Sequence, residues 1–398
     1  LTCLQSMAAA PPSSTSALFE AVRAGDHAAV RSLIKTGAGV NARDDEGNTP
    51  LIAAALNADV AVLKLLIEAG AEVNATNQAG ASALLRAAAF EDKARLLVTA
   101  GADFKARSQL GNGVLILAAR KPGNSGTVKL LLDRGVEVNA TNGFGGTALM
   151  AAVAAEDTQS VRLLLDQGAD VNAGPKMNDQ GFLFGGGRSP LMWAAFRGNE
   201  ELTRLLLARG ANVNGVSLMG GALKQAAWAG NTTIARVLLD AGAQVDQRDR
   251  RANYTPLHWA ASSEKFDATL VQLLLARGAD VNAEGGQTLD NFLGVAQTPL
   301  MLALKRGETP IVAALRKAGA HEVEPLSKKP NAAPARTAVS SADTDTMIDA
   351  IRRALPPLQK SAVESKATYL RHASRQDCVS CHQQSLPLSA IGVALSRH

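Results

Sequence analysis

Apolar residues in this chain come in short bursts separated by polar breaks, and the bursts are of two alternating kinds. The first kind opens with a hydroxyl residue and often a proline: Thr49-Pro50-Leu51, Ser189-Pro190-Leu191, Thr255-Pro256-Leu257 and Thr298-Pro299-Leu300, with Thr147-Ala148-Leu149 keeping the hydroxyl alone. A Thr or Ser oxygen can accept from a first-turn amide that has no partner inside the helix, and Pro at the next position gives up an N–H that would be idle there. The pattern therefore predicts a short helix at each of these points, ending near Gly198-Asn199 or Gly230-Asn231. The second kind is a leucine cluster, as at Leu163-Leu164-Leu165, Leu205-Leu206-Leu207 and Leu273-Leu274-Leu275, and predicts a second helix. A glycine follows each cluster, where a left-handed cap residue is favoured.

Those glycines open a recurring phrase, Gly70-Ala71-Glu72-Val73-Asn74-Ala75 in one copy and Gly168-Ala169-Asp170-Val171-Asn172-Ala173 in another. It occurs nine times, at Gly37, Gly70, Gly101, Gly135, Gly168, Gly210, Gly242, Gly278 and Gly319. The spacing, about 33 residues, is that of a stacked-repeat architecture. The phrase and the polar, Gly-bearing segment after it, such as Arg43 to Asn48, suit an extended hairpin finger leading to the next helix pair.

Composition agrees with small-residue helix packing. The chain has 398 residues, 46% of them hydrophobic but only 4% aromatic, so large rings cannot fill its core. Net charge is +5, and residues 1–321 hold 31 basic and 29 acidic residues, too even a balance for an electrostatic nucleic-acid binder. No apolar run reaches the length of a membrane span. Three cysteines, Cys3, Cys378 and Cys381, cannot make a disulfide framework. Residues 1–16 read as the remnant of a signal sequence, with Ser6 and Ala8 suited to cleavage after Ala8, or else as a disordered N-terminus.

Taken together, the cap phrase, the leucine clusters and the Gly-Ala-x-Val-Asn-Ala phrase resemble the ankyrin repeat family over about residues 17–320, in about nine repeats beginning with a half-repeat at Ala17 to Thr36. The resemblance implies an all-α repeat solenoid of helix pairs with hairpin fingers, over 17–321. It also implies a binding scaffold rather than an enzyme, in which fingers and the first-helix row on the concave side meet another protein. His258 matches the family histidine that hydrogen-bonds neighbouring turns. Gly113-Val114-Leu115 and Gly221-Ala222-Leu223 depart from the family by lacking the cap hydroxyl and the proline.

Where this copy differs from a plain repeat, partner contacts are expected. Most repeats place six residues between Asn-Ala and the next Thr or Ser, but Gly174 to Arg188 has fifteen and Glu284 to Gln297 has fourteen. These long fingers carry Phe182 and Phe184, and Leu289 and Phe292, apolar groups that mark contacts if exposed or that fold back onto the stack. Phe196 and Trp228 occupy the same place in consecutive repeats, the first variable position after the Ala-Ala pair, which in the family faces the groove. Trp193 and Trp259, one turn earlier, are expected to pack in the core.

Beyond the array, 322–344 has lost the period and reads as a flexible linker, and 345–398 reads as a small helical module cut short at His398. That module contains Cys378-Val379-Ser380-Cys381-His382, which matches the haem-attachment sequence of c-type cytochromes. Two thiols one helical turn apart add to the haem vinyl groups, and the adjacent histidine lies under the iron. Zinc at Cys378, Cys381 and His382, a redox dithiol, or plain structural thiols stand as alternatives. The expected protein is a periplasmic or extracellular monomer that docks a partner and carries one haem c for electron transfer or sensing. The alternatives are a cytoplasmic scaffold without haem and the front part of a larger enzyme.

Overall fold

A computed structural model describes residues 14–174, 187–217, 220–250, 252–263, 268–286 and 297–321. The expected linker at 322–344 and module at 345–398 lie outside these residues. So do Cys3, Phe182, Phe184, Leu289, Phe292, Cys378, Cys381 and His382.

Among the described residues eighteen helices form nine pairs. They are α1 (Ser14–Ala24) with α2 (His27–Lys35), α3 (Pro50–Asn57) with α4 (Val60–Glu68), α5 (Ala83–Ala87) with α6 (Glu91–Thr99), α7 (Val114–Ala119) with α8 (Ser125–Asp133), and α9 (Ala148–Ala154) with α10 (Thr158–Asp166). Then follow α11 (Pro190–Arg197) with α12 (Glu200–Ala208), α13 (Ala222–Trp228) with α14 (Thr232–Asp240), α15 (Pro256–Ala261) with α16 (Thr269–Ala276), and α17 (Pro299–Leu304) with α18 (Pro310–Lys317). First helices contact first helices and second helices contact second helices, giving two rows. The fold is the expected all-α repeat solenoid. Its first member is a complete pair rather than a half-repeat, and α1 starts at Ser14, inside the stretch read as a tail. Ser14-Thr15-Ser16 carries no apolar residue, so the hydrophobic pattern gave no sign of that first turn.

The caps explain where helices begin. Side chains of Thr49, Ser82, Thr147, Ser189 and Thr298 accept from the amide three residues on, at 3.3–3.4 Å. Asp26, Asp59, Asp157, Asn199 and Asn231 do the same for second helices at 2.9–3.1 Å. Gly113 and Gly221 make no side-chain cap bond, a loss worth about 1 kcal/mol each. The core follows from small residues facing large ones. Ala54, Ala87, Ala118, Ala152, Ala194 and Ala226 are fully buried in the first row and let adjacent helices approach closely, while Leu66, Leu97, Leu131, Leu164 and Leu206 fill the space between the rows.

Asparagine ties each repeat to the next. In the Val-Asn-Ala phrase, Asn41, Asn74, Asn139, Asn172, Asn214 and Asn282 each donate Nδ2–H to the carbonyl of the glycine that opens the following phrase, at 3.0–3.3 Å. Their Oδ1 atoms accept from the amide two residues past that glycine, at 2.7–3.2 Å. Lys105 stands in one phrase instead, where no such pair forms among the described residues. Asp246 stands in another and accepts from the Asp280 amide; burial first, and the charge of Asp280, push its carboxyl above the ordinary range, although the bond from that amide pulls the other way.

The expected hairpin fingers are shorter than strands. Single bridges close them, Thr76 with Ser82, Arg107 with Gly113, Ser217 with Gly220 and Gly285 with Gln297. Neighbouring fingers are then joined by backbone bonds such as Gln109 N to Ala79 O (3.1 Å) and Gly143 N to Leu110 O (3.0 Å). At Gly111, φ is +73° and an added Cβ would lie 2.7 Å from Gly143 N, so both the turn and the finger stacking require glycine there.

Candidate functional site

The seventh residues after the caps of the second to ninth first helices form one column along the array: Leu56, Ala89, Arg120, Ala154, Phe196, Trp228, Ser262 and Lys305. It holds large apolar and basic residues and no carboxylate. Exposure singles out the same side of the molecule. The large hydrophobic residues left exposed are Leu56 (46%), Leu110 (53%), Val216 (40%) and Trp228 (42%). Leu56 and Trp228 belong to the column, and Leu110 and Val216 to fingers, so the second-helix row contributes none among the described residues.

From the sixth to the eighth pair the column thickens into a run of rings and cations. Trp193 meets Phe196 edge-on with centroids 6.2 Å apart, Phe196 lies 5.7 Å from Trp228, and Trp228 lies 6.0 Å from Trp259. The Arg188 guanidinium sits 4.9 Å from the Trp193 ring and 4.5 Å from the Phe196 ring, and its Nε donates to Gln225 Oε1 at 3.1 Å. Lys224 Nζ lies 4.7 Å from the Trp228 ring and 4.2 Å from the Trp259 ring. Trp259 Nε1 donates to Asp249 at 2.8 Å. Both cations are buried, so attraction to the ring faces is little screened by water. Burial also pushes the Arg188 guanidinium below its ordinary range. No buried side-chain nitrogen or oxygen among the described residues lacks a hydrogen-bond partner. The interior of the run is a satisfied framework, and its outward faces are what remains for a partner.

Beside the run, on the side of the earlier repeats, a cavity of about 370 Å³ opens between fingers and first helices. Ile116, Phe144, Met150 and Trp193 line it, with Leu110, Arg120 and Arg188 also at its wall. No carboxylate is among its lining residues. Described residues contain no group of three or more His, Cys, Asp or Glu able to hold a metal ion, and no helix long and apolar enough to cross a membrane.

The family model for ankyrin repeats (three copies) matches residues 18–108, 115–217, 171–249 and 223–325. The chain belongs to the ankyrin repeat family. Among solved structures it is similar to the human ASB11 ankyrin repeat domain, at 24% identity and a TM-score of 0.50 over 61% of this chain and 100% of that one. That likeness is one of fold. No curated protein sequence matches the chain.

Within the ankyrin array the expected contact residues Phe196 and Trp228 are adjacent, half-buried and exposed respectively. Trp193 and Trp259, expected to pack in the core, are half-buried and packed against it, and they also join the same ring run. Phe182, Phe184, Leu289 and Phe292 lie outside the described residues. His258 is fully buried, accepts the Thr255 amide on Nδ1 (3.1 Å) and reaches the Gln297 carbonyl with Nε2 (2.9 Å). Sequence reasoning missed Arg188, Lys224 and Gln225. A signal existed, because Lys224 falls in a column otherwise occupied by Ile52, Leu85, Ile116, Met150, Met192, His258 and Met301, and Gln225 falls in the Trp193 and Trp259 column. Two buried polar residues in mostly apolar columns demand partners, and Arg188 and the flanking indoles supply them.

Proposed function

We propose that this ankyrin protein docks another protein on its first-helix row, around Phe196 and Trp228, and that its tail carries one covalent haem outside the cytoplasm. The exposed indole of Trp228 in a ring run held rigid by buried cations carries the docking part of the reading. Large, rigid, partly exposed aromatics are the groups that dominate interface energetics. The reading assigns the array no reaction and takes the protein to act as a monomer.

Phe196→Ala combined with Trp228→Ala is expected to weaken capture of the natural partner at least about tenfold while the array still melts cooperatively. Unchanged affinity would remove the docking site, and loss of cooperative melting would place both rings in the core instead.

The haem part rests on Cys378, Cys381 and His382, a donor set that suits thioether attachment and axial ligation. When bound, haem supplies one-electron transfer or ligand sensing. The chain's own thiols would fix the group and His382 would hold the iron from one side. A visible spectrum after periplasmic expression with attachment machinery, followed by denaturation and a pyridine haemochrome reading, tests it. A band that stays with the unfolded chain is the expected result. A colourless protein would remove haem and leave a scaffold whose Cys378, Cys381 and His382 hold zinc or nothing.

A further inference from the structure

The charges on the two helix rows are arranged differently. On the second row, five cations are paired with carboxylates of the same row, Lys64 with Glu68, Arg95 with Glu91, Lys129 with Asp133, Arg162 with Glu201, and Arg204 with Glu200, while Arg31, Lys35 and Arg236 form no ion pair among the described residues. On the first row, α5, α7, α11, α13 and α17 with their C-terminal caps carry Arg86, Arg120, Arg197, Lys224 and Lys305 and no carboxylate. Arg86, Arg120 and Arg197 form no ion pair among the described residues. Arg86, Arg120 and Arg197, set along one row without a carboxylate partner, repel one another, and an acidic occupant would relieve that repulsion.

The 370 Å³ cavity adds an apolar demand at the same place. Its floor takes a large aliphatic or aromatic side chain, and Arg120, exposed at its wall, is placed to meet an anion beside that side chain. From the cavity the apolar track continues through Trp193 and Phe196 to Trp228, and both ends, Leu110 and Trp228, stand exposed. One small molecule would fill the cavity and leave the rest of the track wet. An extended or helical segment would cover it.

We propose that the occupant of this track is an acidic peptide segment of a partner protein, in which Asp or Glu residues flank a Leu, Phe or Trp that enters the cavity. The proposal rests on the docking reading above and adds the partner's chemistry. Its carboxylates meet Arg120 and the neighbouring first-row arginines, while its apolar side chain is desolvated against Ile116, Phe144 and Met150.

The test is selection of a random displayed-peptide library on the full chain, with synthesis of the enriched peptides. Enriched sequences are expected to carry Asp or Glu next to a large apolar residue. Arg120→Glu is expected to weaken those peptides about tenfold or more, with the loss shrinking at high salt, because like charges then face each other. Lys64→Glu changes net charge equally on the second-helix row and is expected to leave binding unchanged. Equal loss in Lys64→Glu would reduce the effect to overall charge and overturn the proposal. Enriched peptides that are neutral or basic, and that lose binding in the Phe196→Ala, Trp228→Ala protein, would overturn the acidic partner and leave the docking reading standing. An empty selection would count against both.

Discussion

Replacing His258 with alanine is expected to lower the unfolding free energy by about 2–4 kcal/mol at neutral pH and to flatten the array's stability profile on the acid side. The ring is fully buried, stacks on Tyr254 with centroids 4.7 Å apart, and bonds two successive repeats at once. Because Nδ1 accepts the Thr255 amide, the proton of the neutral ring sits on Nε2 and is donated to the Gln297 carbonyl. Burial pushes the imidazole down to about 4, helped by the charge of Arg248 and opposed by the Gln297 carbonyl and Asp249. The unfolded chain takes the same proton near the ordinary 6.5. Between these values the unfolded state binds more protons, so stability is complete above pH 6.5, falls as pH drops toward about 4 and loses nothing further from this group below that. Urea titrations at pH 7 and pH 5 on both proteins measure it. An equal fall in the alanine variant would show that other groups set the acid sensitivity.

Leu131→Ala is expected to cost about 2–5 kcal/mol and to split one unfolding transition into two. Leu131 is fully buried in α8, in the fourth helix pair. That pair starts at Gly113 without a side-chain cap, and the phrase before it carries Lys105 where other phrases carry the stapling asparagine. A cavity of about 300 Å³ lined by Phe104, Lys105, Val136 and Glu137 lies at the same junction. Stacked repeats unfold together only while nearest-neighbour coupling exceeds differences in repeat stability. Weakening the fourth pair, already loosely coupled on one side, uncouples the earlier pairs from the later ones. Lys105→Asn is expected to act in the opposite sense, raising stability by about 1 kcal/mol by restoring the paired hydrogen bonds. Calorimetry would separate one transition from two, and a single sharp transition at lowered temperature in Leu131→Ala would mean the junction is as tight as the others.

Much of this fold was legible because its determinants are local. Thr49, Ser189 and Thr298 act on amides three residues away, and the glycines after the leucine clusters set turns in their own segments. The stapling asparagines were visible as letters of a phrase, but their partners lie 27–40 residues away, so their role emerges only when repeats are stacked. The candidate site was half legible for a similar reason. Phe196 and Trp228 recur in register and so could be picked out. Arg188 lies outside the recurring phrases, at the end of a long finger, and only the stack brings it over Trp193 and Phe196 and onto Gln225. Lys224 and Gln225 looked like flaws in an apolar pattern until their partners were in view.

The asparagine staples have a consequence for how such a surface can change. Each one joins a side chain in one phrase to backbone atoms in the next, and none uses a residue of the first-helix column. Alignment between neighbours is therefore encoded separately from the face that meets a partner. Drift in Leu56, Arg120, Phe196, Trp228 or Lys305 leaves the seam untouched, so this lineage could acquire a new specificity by point changes without first rebuilding its frame.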